Sequence, residues 1–319
     1  MRKFILIAVV ATLTAAWPAA AQDYPSRPIR FVVPYPPGGS VDPVARILGA
    51  DIAERLRQPV VIENKAGAAG SLGTDQVAKS AADGYTVLIH TSVLATEPSL
   101  KKLPYEVTRD LMPVTLAVNG PYLLVVNPTL PVSNVRELIA YAKANPGKLS
   151  YGSAGVASSG HMIGELFKTV TGIDMLHVPY RGGAPSIIGL MGNEVQLVFD
   201  VISTSKAPSE AGKLRALAVT SPERAPVMPD TPTVMESGVP DFSVVFWLGA
   251  FVPAGTPQPV VDKLYRAFAD ALANPTVSDK LRGLGLQIRA TPPDASATAV
   301  AADIVKWRKV IEDAKIKAE

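Results

Sequence analysis

Two runs of small and hydroxyl residues carry the chemistry this chain can do. One is Phe31 to Arg46, FVVPYPPGGSVDPVAR; the other is Gly152 to His161, GSAGVASSGH. In each, glycine and serine lie between an apolar run and a helical pattern. Glycine lets the backbone approach a bound group closely, and a helix start adds unpaired N–H groups and the positive end of a dipole. That arrangement suits capture of a carboxylate or phosphate by the main chain. Reaction chemistry is poorly supplied. His90, His161 and His177 are the only histidines, there is no cysteine, and no H-E-x-x-H or other metal-ligand spacing occurs. Ser153 lies in Gly-Ser-Ala-Gly, not in a G-x-S-x-G elbow, and no P-loop or G-x-G-x-x-G run is present. A hydrolase using Ser153 or Ser158 with His161 stays open on paper, but a serine and histidine on one helix lack separate approach and an orienting acid. No catalytic residue, metal or cofactor is expected.

The elements that must position these runs alternate between short apolar strands and helical patterns, the signal for βαβ units. Phe31-Val33 reads as a strand. It leads to a helix over about Pro43 to Leu56, with Val44, Ile47, Leu48, Ile52 and Leu56 on one face. Asp42 reads as the cap of that helix, paired with Arg46 at i,i+4. Val60-Ile62 is the next strand, followed by the small-residue turn Asn64 to Gly70 and a helix through Val77. Tyr85 to Ile89 then delivers His90, Thr91 and Ser92 at its end. Ligands in open α/β sheets bind outside strand carboxyl ends, so these three loops should face one cleft.

A second unit begins near Pro121 with the strand Leu123 to Val126. A helix capped around Ser133-Asn134 by Glu137 follows, and then the GSAGVASSGH turn, where Ser158 or Ser159 caps the next helix. Met175 to Val178 and Val195 to Phe199 are further strands, the latter ending at Asp200. Val244 to Val252, with Trp247 in it as a packing residue, can return the chain to the first lobe. Helices over about Pro259–Ala273 and Ala295–Ala314 would complete that lobe.

Length and composition agree with two ordinary cores: 319 residues, 48% hydrophobic and 18% charged. The net charge of +3 drops by two without Arg2 and Lys3, which leaves no basic footprint for nucleic acid. Residues 1–21 read as a cleavable signal peptide: Arg2-Lys3, an apolar stretch from Phe4 to Ala16, and Ala19-Ala20-Ala21 before Gln22. The mature protein is expected to be soluble, exported to the periplasm and monomeric.

In their order along the chain, several motifs resemble the Bug (TctC-like) family, the periplasmic solute-binding proteins of tripartite tricarboxylate transporters. They include Pro37-Gly38-Gly39 with Asp42 and Ala45-Arg46, Glu63-Asn64 through Gly67-Ala68-Ala69-Gly70, and Asp83-Gly84-Tyr85-Thr86. Pro146-Gly147-Lys148-Leu149, His177 through Gly182, Leu217 to Thr220, Pro229 to Thr233, Glu236-Ser237-Gly238 and Pro253 to Pro257 continue the series. No one motif is specific; the ordered set is. The resemblance implies an α/β, two-lobed periplasmic binding protein fold (type II-like), each lobe a mostly parallel sheet flanked by helices. Lobe 1 would be residues 22–121 and 248–319, and lobe 2 residues 122–247. It also implies a small carboxylate ligand, held largely by backbone groups, and delivery to membrane permease subunits.

Carried over by position, the first-lobe candidates are Gly38, Gly39, Ser40 and Asp42, with Ala69, His90, Thr91 and Ser92 beside them. The second-lobe candidates are Ser153, Gly155, Ser158, Ser159, His161, Tyr180, Arg181 and Asp200. The chain departs from the family at Val156-Ala157-Ser158, where Gly-Ser is common. Several candidates also have plainer readings: the glycines as a tight turn, His161 as a buried hydrogen-bonded residue, Arg181 as solvated. A sensor partner of a membrane histidine kinase is the rival function, ahead of a serine hydrolase.

Overall fold

The computed structural model describes residues 24–240, 242–313 and 316; the expected signal peptide lies outside them. The first βα units are β1 (Ile29–Val33), α1 (Val41–Leu56), β2 (Val60–Asn64), α2 (Ser71–Ala78) and β3 (Thr86–Thr91). β1 pairs in parallel with both β2 and β3. Its Phe31 is fully buried and stacks on Phe268 at 5.5 Å, while Val44, Leu48 and Ile52 bring one face of α1 onto the same core. α3 (Val93–Leu100) and α4 (Val107–Asp110) lead into the strand β4 (Leu111–Val126).

β4 joins the two halves. From Leu111 to Pro121 it runs antiparallel to β9 (Val245–Pro253), and from Tyr122 to Val126 it pairs instead with β7 (Leu197–Val201) and β8 (Arg215–Val219). The second half also contains α5 (Val135–Ala144), β5 (Ser150–Ser153), α6 (Ser159–Thr171), β6 (Leu176–Pro179), α7 (Gly183–Met191) and α8 (Ile202–Glu210). Here β5 pairs in parallel with β6 and β7. α5 starts with the reciprocal arrangement its sequence implies: the Asn134 side chain accepts from Glu137 N at 2.9 Å, and the Glu137 carboxylate accepts from Ser133 N at 2.6 Å.

After β9 the chain completes the first half with α9 (Gln258–Ala273), α10 (Pro275–Gly283), β10 (Gln287–Thr291) and α11 (Pro293–Asp313). The strand order is β2-β1-β3-β9-β4-β7-β5-β6, with β8 and β10 also on β4. Parallel pairing is thus confined to the βα units, and the crossing strands add antiparallel pairs. Thr220 ties the two crossings together. It accepts from Tyr122 N at 2.9 Å and donates through its hydroxyl to Val244 O at 2.6 Å.

The strand read as Leu123–Val126 is therefore the last quarter of a longer one. Pro113, Gly120 and Pro121 hide the rest, because proline and glycine ordinarily end strands. Pro113 is accommodated where the β4–β9 register shifts.

Candidate functional site

The first wall begins at the turn after β1. Gly38 takes φ 79, and Gly38, Gly39 and Ser40 are exposed. Ser40 is the N-cap of α1 but makes no side-chain cap. Asp42 is not the cap expected of it, because the helix begins at Val41, one residue earlier. Its carboxylate reaches back instead: Oδ2 accepts from Gly38 N at 3.1 Å and from Arg46 Nε at 3.0 Å, and Oδ1 accepts from Asn64 Nδ2 at 3.1 Å. Burial pushes the Asp42 carboxyl up, but these bonds and the Arg46 charge outweigh it and hold it below the ordinary value. A negative charge already occupies this helix start, and the Gly38 N–H is spent on it.

The second turn, between β2 and α2, holds Ala69 in a single 3-10 turn, Ala68–Gly70. Behind it lies His90, fully buried, its Nδ1 2.9 Å from Thr91 O and its ring edge-on to Tyr35. Burial drives the His90 imidazole down to about 4, so it is neutral at ordinary pH. A Cβ on Gly70 would come within 3.2 Å of its Nε2. His90 thus supports the turn from below. Thr91 bonds the Tyr35 hydroxyl at 3.1 Å, and Ser92 is the N-cap of α3.

In the second half, Ser158 is the residue that caps α6, its Oγ accepting from His161 N at 3.5 Å; Ser159 is the first residue of the helix. Gly155 turns at φ 128. Ala157, where the chain departs from the family, takes φ 67, and its N–H donates to His161 Nδ1 at 3.1 Å. His161 is 7% exposed and stacks on His177 at 3.9 Å. The serine–histidine pair that forms is not the one weighed from sequence. Ser153 Oγ lies 2.7 Å from His177 Nε2, and also 2.9 Å from Gly155 O, with Ser153 1% exposed. A hydroxyl so enclosed presents no nucleophile to a substrate.

Asp200 stands at the end of β7. Its buried carboxyl is pushed up by desolvation, which the Ser205 and Thr204 hydroxyls and the Val201 backbone partly offset. A Cβ on Gly183, at the start of α7, would sit 3.6 Å from its Oδ1. Tyr180 leads elsewhere: its hydroxyl donates to Glu194 and its ring covers Gly189, so its carbonyl, beside Gly155, is its contribution to this turn. Arg181 is exposed. Trp247 packs as read, with Nε1 donating to Asp303 at 2.7 Å.

Where the halves meet, a cavity of about 10 Å³ is lined by Ser92 and Thr96 of α3, Ser159 and Met162 of α6, Tyr122 of β4 and Trp307 of α11. The starts of α3 and α6 thus face each other across the Tyr122 hydroxyl. Burial drives this phenol up to about 12, against the Ser159 and Ser92 hydroxyls, which favour its ionised form. Sequence reading passed over Tyr122, and its one signal was an aromatic at the junction of two units. Among the described residues no three His, Asp or Glu side chains converge to hold a metal, and no helix is long and apolar enough to cross a membrane.

Residues 44–316 match the family model described as the tripartite tricarboxylate transporter family receptor, TctC. Three solved structures resemble the chain throughout. An R. palustris protein solved with adipate is 37% identical, with a TM-score of 0.87 over 92% of this chain and 99% of that one. The periplasmic binding protein BugD is 37% identical, with a TM-score of 0.84 over 93% and 100%. MatC from Rhodopseudomonas palustris, solved with malate, is 33% identical, with a TM-score of 0.81 over 90% and 100%. The chain shares the two-lobed periplasmic binding fold of these proteins, and it belongs to the TctC (Bug) family of solute-binding receptors, which are not enzymes.

Proposed function

We propose that the protein is an extracytoplasmic receptor that closes two lobes on a small carboxylate and delivers it to the membrane subunits of a tripartite tricarboxylate transporter. One observation carries the reading. The starts of α2, α3 and α7 have neither a side-chain cap from their N-cap residue nor an acidic residue in the first turn. Such starts leave the positive end of the helix dipole without a side-chain charge opposite it, which favours an anion, in contrast to α1, which Asp42 occupies. The adipate and malate held by two family members support this ligand class.

In this proposal Gly38 to Ser40, the Ala69 turn and Ser92 form one wall, and Gly155, Ser159, Gly183 and Asp200 belong to the other. Lobe 1 is residues 22–121 and 248–319, and lobe 2 is residues 122–247. The change of β4 partners between Pro121 and Tyr122 is the hinge. Export by a signal peptide over residues 1–21 would leave a periplasmic monomer. Closure buries the ligand, and the permease reads the closed state.

The test is calorimetry of the purified, monodisperse protein against adipate, malate, aromatic acids and amino acids, with mass spectrometry of any co-purifying acid. Saturable heat from at least one acid is the expected result. No heat from any of them and no co-purified acid would refute the proposal.

A further inference from the structure

The turn between β2 and α2 follows a costly backbone path. Gly67 stands at φ 147, Ala68 at φ 47 and Gly70 at φ 108, so left-handed conformations crowd into four residues. At Ala68 a side chain makes that conformation costly. Leu72, one residue into α2, is 61% exposed and anchors nothing in the core.

The restraint comes from α3. Lys101 Nζ donates to the Ala68 carbonyl at 2.7 Å and lies 3.4 Å from Ser71 Oγ, which itself donates to Ala68 O at 2.9 Å. Lys101 is held in turn: its ammonium sits 3.0 Å from Glu97 Oε1, and the Tyr105 hydroxyl donates to Glu97 Oε2 at 3.0 Å. Glu97 is 0% exposed. A buried carboxylate is costly, and a well-packed apolar residue would serve helix packing at least as well. The network meets the β2–α2 turn at Ala68 and Ser71.

We infer that Lys101 is a positioning residue for ligand recognition: braced by Glu97 and Tyr105, it fixes the Ala68 carbonyl, which also accepts from Ser71 N, and so sets the direction of the α2 dipole start. This rests on the receptor reading above. It also gives α3 a part at both ends, since Ser92 and Thr96 line the hinge cavity at its start.

The test uses the double substitution Lys101→Met with Glu97→Gln, which removes both charges and leaves no buried carboxylate orphaned. Lys101→Arg, which keeps the cation, serves as the rescue. Hydrogen exchange of the ligand-free protein should quicken by about 10-fold or more at residues 67–71 in the double variant, with α1 unchanged. Calorimetric affinity for adipate or malate, whichever the wild type binds, should fall by about 10-fold and return to within about 3-fold in Lys101→Arg. Wild-type exchange and wild-type affinity in the double variant, even with lowered thermal stability, would overturn the inference alone. Faster exchange in a protein whose wild type takes up no carboxylate would overturn the recognition role together with the receptor reading.

Discussion

Substituting Asp42 by Asn separates two roles that this carboxylate could play in the first wall. As a ligand contact, its charge would repel an anion, and neutralising it would tighten binding. As the brace of the turn, its loss would loosen the backbone from Gly38 to Ser40 and weaken binding. The structure favours the second role. Asp42 is 5% exposed and both its oxygens are spent, on Gly38 N, Arg46 Nε and Asn64 Nδ2. An amide offers one acceptor where the carboxylate offers two. If its oxygen faces Gly38 and Arg46, its NH₂ meets the Asn64 NH₂. Asn64 can turn its own oxygen to that NH₂ only by giving up its bond to Tyr35 O.

The Asp42→Asn cost is therefore one unmet donor and the charge assistance of two bonds, about 2 kcal/mol. Urea unfolding measures it. The pH dependence has a definite sign. The folded carboxyl lies below its ordinary 3.8, so its contribution is fully present above that value and is lost as pH falls through the lower, folded one. The gap between wild type and variant should stay constant at neutral pH and close below 3.8. Calorimetry should find carboxylate binding about 5- to 10-fold weaker, a loss of roughly 1 kcal/mol. A variant as stable as the wild type, or one that binds the acid more tightly, would refute this account of Asp42.

Two further outcomes follow from the same geometry. Gly39 does not need a left-handed backbone, and an added Cβ meets only Pro36 O, at 3.5 Å. Gly39→Val should therefore unfold within about 0.5 kcal/mol of wild type while binding at least about 10-fold more weakly; normal binding by calorimetry would move the site away from this turn. His90 and His177 are both driven by burial from 6.5 to about 4. The unfolded chain then binds more protons between those values, so stability should fall as pH drops from 6.5 towards 4. The fully buried His90 contributes up to about 1.4 kcal/mol per pH unit, and the more solvated His177 contributes less. Either ring titrating near 6.5 by NMR would contradict this.

What could be read in advance was local. Gly38-Gly39 after Phe31-Val33, the Ser133–Glu137 capping pattern and the serines before His161 are signals within a few residues, and the structure places a turn or helix start at each. Asp42 shows the limit of such reading. Its pairing with Arg46 is local and was legible, whereas its bond to Asn64 depends on β1 and β2 lying side by side. His161 was legible as a buried, bonded residue. Its stacking partner His177 was not, because only the parallel register of Tyr151 with His177 across β5 and β6 brings the rings together. α3 and α8 were missed because each contains a proline, Pro98 and Pro208, which ordinarily argues against a helix.

The least legible part of the chain is also the part that relates the walls to each other. Leu111 to Val126 reads as a broken segment, since Pro113, Gly120 and Pro121 each signal an end, yet it forms one strand with nearly every residue buried. It can do so because different partners cover its two stretches: β9 and β10 before Pro121, β7 and β8 after it. No local pattern encodes a change of partners. Its consequence falls on Tyr122, the first residue past the change, whose hydroxyl meets Ser92 from one side and Ser159 from the other. Both serines stand at the starts of helices, α3 and α6. In the proposed receptor, a rotation of the halves about this strand would move one helix start against the other, which would couple a ligand held by the first-wall turns to the proposed hinge through α3 itself.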